Sequence, residues 1–177
     1  MVKKNAIVDS SFWININRVN LVKELLDKFD VFFTCKVEKE LLINNNLFYT
    51  PKDILVYKTL KEMGYVTVKD ANKIPLKLNK ILSKDSGEVN TIALALENKG
   101  VILVDNGAAV DYCIKNKIPV VNTINFILYC YFIDLLTYKQ VLEKINILRP
   151  YIKEKYILQD LKLLEKIKRD KYEKKRS

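Results

Sequence analysis

Five short apolar runs recur along the chain: "NAIV" (Asn5–Val8), "VFFT" (Val31–Thr34), "YVTV" (Tyr65–Val68), "VILV" (Val101–Val104) and "PVVN" (Pro119–Asn122). They are continuous runs, without polar–apolar alternation. A strand with one wet face alternates, whereas a run that is apolar throughout suits a strand covered on both faces, as in a parallel sheet. The intervals between them are long enough for helices. "VNLVKELLDKF" (Val19–Phe29) and "VEKELLIN" (Val37–Asn44) place apolar residues at helical spacing. Pro51 opens "KDILVYKTLKEMG", which Gly64 stops. A short helix is expected near Leu76–Leu82, one over "SGEVNTIALALE" closed by Gly100, and one over Asn106–Asn116. Strand–helix alternation predicts an α/β chain, a three-layer α/β/α fold with a central parallel sheet of about five strands.

From Thr137 onward no strand is expected. "INFILYCYFIDLL" (Ile124–Leu136) reads as a buried helix, and two more helices flank Pro150. The expected organisation is one domain over residues 1–165, with a core at about 5–136 and C-terminal helices at 138–165. The lysine- and arginine-rich residues 166–177 are expected to form a frayed, solvated tail.

Composition narrows the chemistry. The sequence contains no histidine, which excludes Ser-His-Asp, Cys-His and HExxH chemistry. Three scattered cysteines, Cys35, Cys113 and Cys130, form no zinc ribbon or disulfide framework and read as buried free thiols. No GxGxxG or Walker loop is present. The N-terminus lacks a long apolar stretch, and residues 124–136 are too few to span a bilayer and include Asp134. A cytoplasmic protein without membrane contact is expected. Thirty-one Lys and Arg against 21 Asp and Glu give a net charge of +10, which favours a polyanionic partner. A generally lysine-rich composition accounts for the charge equally well.

Within this basic chain, acids collect where a parallel sheet binds ligands, beyond the carboxyl ends of its strands. Asp9 follows the first strand and Asp105 the fourth. Glu88 opens the helix behind Gly87, and Glu40 lies on the helix after the second strand, with Glu38 as the alternative in that helix. Each has an ordinary role: Asp9 and Asp105 as helix caps, Glu88 as a first-turn acid on the helix dipole, Glu40 as a solvated charge. Together at one edge they would repel one another, and a hard cation, Mg²⁺ or Mn²⁺, would neutralise them. Carboxylates, a divalent ion and a basic surface point to phosphodiester hydrolysis.

Four motifs carry a resemblance to PIN-domain nucleases, and in particular to the VapC-type toxin branch, over about Asn5 to Lys166. "AIVDSSFWI" resembles the opening strand with its aspartate, Asp9, followed by Ser10. "VEKELL" resembles the helix that supplies a glutamate, which falls on Glu40. "SGEVNTIALALE" places an acid at Glu88, and "VILVDNGAAVDYC" places Asp105 and Asn106 where relatives often carry two aspartates. The resemblance implies a Mg²⁺- or Mn²⁺-dependent endoribonuclease whose Asp9, Glu40, Glu88 and Asp105 hold the metal. Ser10 would orient Asp9 or a bound water, and Asn106 stands as an alternative to Asp105. It further implies a toxin of a type II toxin–antitoxin pair that acts on RNA, pairs with a small antitoxin and forms a homodimer. The Asp-Asn variation keeps open an RNA-binding subunit without turnover. A housekeeping RNA-processing nuclease shares the same chemistry.

Overall fold

A computed structural model describes residues 2–43, 50–76, 78 and 86–174. Its five strands are β1 (Lys4–Val8), β2 (Phe29–Phe33), β3 (Val66–Val68), β4 (Val101–Leu103) and β5 (Val120–Val121). They form one parallel sheet in the order β3-β2-β1-β4-β5. The central strand explains the continuous apolar runs: Ala6, Ile7 and Val8 are all fully buried, because both faces of β1 are covered.

The helices are α1 (Ser10–Arg18), α2 (Val22–Lys28), α3 (Cys35–Ile43), α4 (Pro51–Glu62), α5 (Gly87–Asn98), α6 (Gly107–Lys115), α7 (Thr123–Phe132), α8 (Tyr138–Leu148) and α9 (Glu154–Lys174). Successive strand residues point to opposite faces. Ile7, Ile102 and Phe32 pack with Val89 and Ile92 of α5 and Ala109 and Cys113 of α6. Phe33, on the other face, meets Trp13 of α1 edge-on at 5.3 Å between ring centres and Tyr57 of α4 at 5.0 Å. The indole N–H of Trp13 donates to the Asp53 carbonyl at 3.2 Å. Helices thus cover both sheet faces, and the expected three-layer α/β/α fold is the one observed.

The chain divides into two compact units, Met1–Asn122 and Thr123–Ser177. In the second, α7 packs with both α8 and α9. Val141, Ile145 and Leu148 of α8 and Ile157 and Leu164 of α9 are buried, at the spacing of one helical stripe.

The elements differ from expectation in four places. The chain from Ser10 to Arg18 forms a helix that the apolar pattern conceals: Phe12 through Asn17 are all buried, so no polar face marks the period. The helix expected from Val19 begins at Val22 instead. The one expected over 124–136 stops at Phe132, where Asp134 adopts φ 63, a left-handed conformation that Asp tolerates. The basic segment from Lys166 continues α9 as helix to Lys174; it is not a frayed tail. Its Lys171 ammonium donates to Asp134 at 2.6 Å and to the Tyr131 carbonyl at 2.7 Å, which also accepts from the Asp134 N–H at 3.1 Å at the end of α7. Cys113 and Cys130 are buried, but Cys35 opens α3 and is exposed. The short helix expected over 76–82 falls largely outside the described residues. No described helix is long and apolar enough to cross a membrane.

Candidate functional site

The strand order reverses between β1 and β4. From β1 the chain steps outward to β2 and β3, then returns to the other side of β1. Ligand crevices of open parallel sheets lie at such a reversal, beyond the strand carboxyl ends. Asp9 leaves β1 at this point, and its N–H donates to the Leu103 carbonyl of β4 at 2.9 Å. Its carboxylate caps α1, accepting from the Ser11 N–H at 3.0 Å and the Ser11 hydroxyl at 2.6 Å. Asp9 is only 2% exposed. Burial pushes its carboxyl up to about 7; the Ser11 donors oppose the rise, and the negative charges of Glu88 and Glu40 add to it.

Glu40 reaches the same edge from α3. It accepts from the Ser10 hydroxyl at 3.2 Å and from the Gly87 N–H, at the start of α5, at 3.1 Å. Burial raises its carboxyl above the usual range, and the charge of Glu88 contributes, against the Ser10 and Gly87 donors and Lys36. Gly87 is required by this approach. A Cβ there would lie 2.7 and 2.9 Å from the two Glu40 carboxylate oxygens, closer than real Cβ contacts come. The start of α5, with its positive dipole end, therefore seats the Glu40 carboxylate.

Glu88 stands in the first turn of α5, which Ser86 caps. It accepts from the Asn106 side-chain amide at 2.9 Å. Asn106 is also the cap of α6, its carbonyl oxygen accepting from the Ala108 N–H at 2.9 Å. Asp105 is not that cap. Its carboxylate accepts from Asn15 at 2.7 Å, and its N–H donates to the Ser11 hydroxyl at 3.1 Å. Arg18 in turn donates to the Asn15 carbonyl oxygen at 2.9 Å. Glu38 turns elsewhere, accepting from Lys61 at 2.6 Å and Tyr57 at 2.8 Å. Burial alone would raise its carboxyl, but these two donors outweigh burial and lower it.

The geometry thus brings Asp9, Glu40 and Glu88 within electrostatic reach of one another and leaves Glu38 out. Ser10, expected to orient Asp9 or a bound water, donates to Glu40, and the hydroxyl on Asp9 is that of Ser11. Ser11 and Asn15 were missed. The only sequence signal for Ser11 is the doubled hydroxyl after Asp9. The signal for Asn15 is an amide placed within an apolar run, since a buried amide needs partners.

Asp9, Glu40 and Glu88 make no ion pair among the described residues, and neutral donors occupy their oxygens. Among the described residues no three Asp, Glu, Cys or His side chains converge as a ready-made metal cage. The donor set nonetheless fits a hard divalent cation. It is made of oxygens alone, and the charge of Glu88 helps raise the pKa of Asp9 and of Glu40, a repulsion that a cation relieves.

Residues 5–166 match a family model described as a PIN domain. No curated protein matches the chain.

Proposed function

The chain belongs to the PIN-domain family, and from that premise we propose that it is a Mg²⁺- or Mn²⁺-dependent endoribonuclease. PIN domains are generally nucleases. The observation that supports the finer reading is the Asp9 carboxyl, buried at the reversal of the sheet and raised to about 7 by burial and by Glu88 and Glu40. A structural cap has no need of two further acids beside it. Asp9, Glu40, Glu88 and Asp105 would hold the cation, which when bound supplies neutralisation of the charge that develops on the phosphate. Ser11 fixes the orientation of Asp9, Ser10 and the Gly87 N–H fix Glu40, Asn106 fixes Glu88 and Asn15 fixes Asp105. With each carboxylate held in advance, little reorganisation opposes binding.

The four motifs support a toxin role, which predicts growth arrest on expression, relief by Asp9→Asn and neutralisation by a small protein encoded beside it. One observation favours a second reading, an RNA-binding subunit without turnover: the fourth motif ends in a neutral amide committed to Glu88 and to the α6 cap. Cleavage of labelled RNA with and without EDTA, together with a melting series in Mn²⁺, separates the two. The nuclease cuts only with the divalent ion, and saturating Mn²⁺ at a hundredfold excess over Kd stabilises it by about 2.7 kcal/mol. RNA that is bound but left intact under every metal condition would establish the second reading.

A further inference from the structure

We propose that the outward face of α9 is a binding stripe for single-stranded RNA, built from Lys162, Lys166 and Arg169 and ended by Tyr172. The inference rests on the nuclease reading, because it assigns the surface to that enzyme's substrate. The three cations are spaced i, i+4 and i+7, which places them on one face of the helix. At a rise of about 1.5 Å per residue they cover roughly 10 Å along its axis. All three are exposed.

Five basic residues of α9, from Lys162 to Lys171, fall into two classes. Lys168 pairs with Glu165 at 3.9 Å and lies 4.0 Å from the centre of the Tyr138 ring. Lys171 is bound to Asp134 and to the Tyr131 carbonyl. These two have structural partners. Lys162, Lys166 and Arg169 make no hydrogen bond or ion pair among the described residues. Of the acids beside them, Glu165 is turned to the Tyr138 hydroxyl and Lys168, while Asp170 and Glu173, four residues on from Lys166 and Arg169, border the stripe. Like charges at i, i+4 spacing cost a helix a few tenths of a kcal/mol, and a polyanion laid along the face reverses that sign.

The chemistry selects RNA over a lipid surface. A membrane-surface helix inserts a continuous apolar face, but Ile157 and Leu164 of α9 are fully buried and the exposed Leu158 and Leu163 lie five residues apart, on different sides of the helix. It selects a single strand over a duplex because Tyr172 is 69% exposed and lies three residues beyond Arg169. A free ring beside a cationic stripe suits stacking of an unpaired base.

The test measures oligouridine binding by the full chain in EDTA, across a salt series, beside Mn²⁺-dependent cleavage. The triple variant Lys162→Gln, Lys166→Gln, Arg169→Gln should reduce the slope of log K against log salt by about 2, from about 0.7 per phosphate contact. Lys166→Gln alone should reduce it by about 0.7, which keeps the test valid if the triple variant fails to fold. Tyr172→Ala should weaken binding about tenfold with the slope unchanged. An unchanged slope in the folded variants overturns the stripe, as does a triple variant that loses affinity only for anionic phospholipid vesicles. Wild-type protein that cuts RNA beside folded variants whose slope equals its own loses the stripe and keeps the nuclease. Protein whose slope depends on the stripe but which never cuts loses the nuclease and keeps the stripe.

Discussion

The two units treat their acids in opposite ways. In the C-terminal unit acids meet cations: Asp134 with Lys171, Glu165 with Lys168 and Glu154 with Arg149. At the sheet edge of the N-terminal unit, Asp9, Glu40 and Glu88 meet one another, and the groups hydrogen-bonded to them are two hydroxyls, an amide and two backbone N–H groups. The difference is not one of supply, since the chain carries ten more cations than anions. A lysine lies near even here: Lys61 is spent on Glu38, on the same helix as Glu40. A region whose charges are matched internally is finished as a structure. A region whose charges are left to repel is the one that the proposed cation would complete.

The sharpest way to break this contrast is Asp9→Asn. If the edge is a cation site, cleavage falls by more than the roughly 10–100-fold typical of supporting partners, while the melting temperature holds or rises because one repelling acid is gone. Activity lost only in proportion to stability would return Asp9 to the role of a cap. Gly87→Ala should come next in size. The added Cβ meets the Glu40 carboxylate at 2.7 Å, and overpacking of this kind costs about 1–3 kcal/mol. Adding Glu40→Ala should restore most of that loss in a denaturant titration. A double variant no more stable than the single one would place the strain elsewhere.

Lys171→Met probes the matched side. It removes one of the two donors on the Tyr131 carbonyl and the cation on Asp134, a loss of about 1 kcal/mol that should appear in melting and leave cleavage of a short substrate untouched. Reduced turnover in a stably folded variant would contradict the division of labour. The smallest effect concerns an exception within that unit. Asp160 pairs with no cation among the described residues, and burial raises its carboxyl to about 6. Because the folded pKa is raised, the stability it contributes is full below about 3.8 and is lost as pH rises through about 6. Asp160→Asn should therefore melt higher than wild type at pH 8 and match it at pH 3.5. Equal melting at both pH values would mean that Asp160 is solvated.

The sheet was legible in the sequence because its strands are buried on both faces, so each apolar run marks a strand within a residue or two of β1 to β5. The helix α1 was not, for the same physical reason. Buried from Phe12 to Asn17, it has no wet side to reveal its period, and "SFWINI" reads as readily as a strand. At the site, the acids that follow strands could be placed by topology alone. What their side chains touch could not. Glu38 and Glu40 lie two residues apart, and only Lys61 and Tyr57, distant in sequence, draw Glu38 away. The roles of Ser10 and Ser11 likewise depend on which carboxylate each hydroxyl meets across the fold.

The placement of β4 beside β1 also has a consequence for biosynthesis. The strand that begins the domain waits for its second neighbour until residues 101–103 have been made. Asp9 and Asp105 are separated by β2, β3 and every helix from α1 to α5. At 5–20 residues per second, that interval takes roughly 5–20 s to translate. A chain still emerging from the ribosome can fold β1 against β2 and carry Asp9, Glu40 and even Glu88. It cannot close the edge at which they meet. The proposed cleavage of RNA would thereby be withheld from the nascent polypeptide at the time it lies closest to its own message.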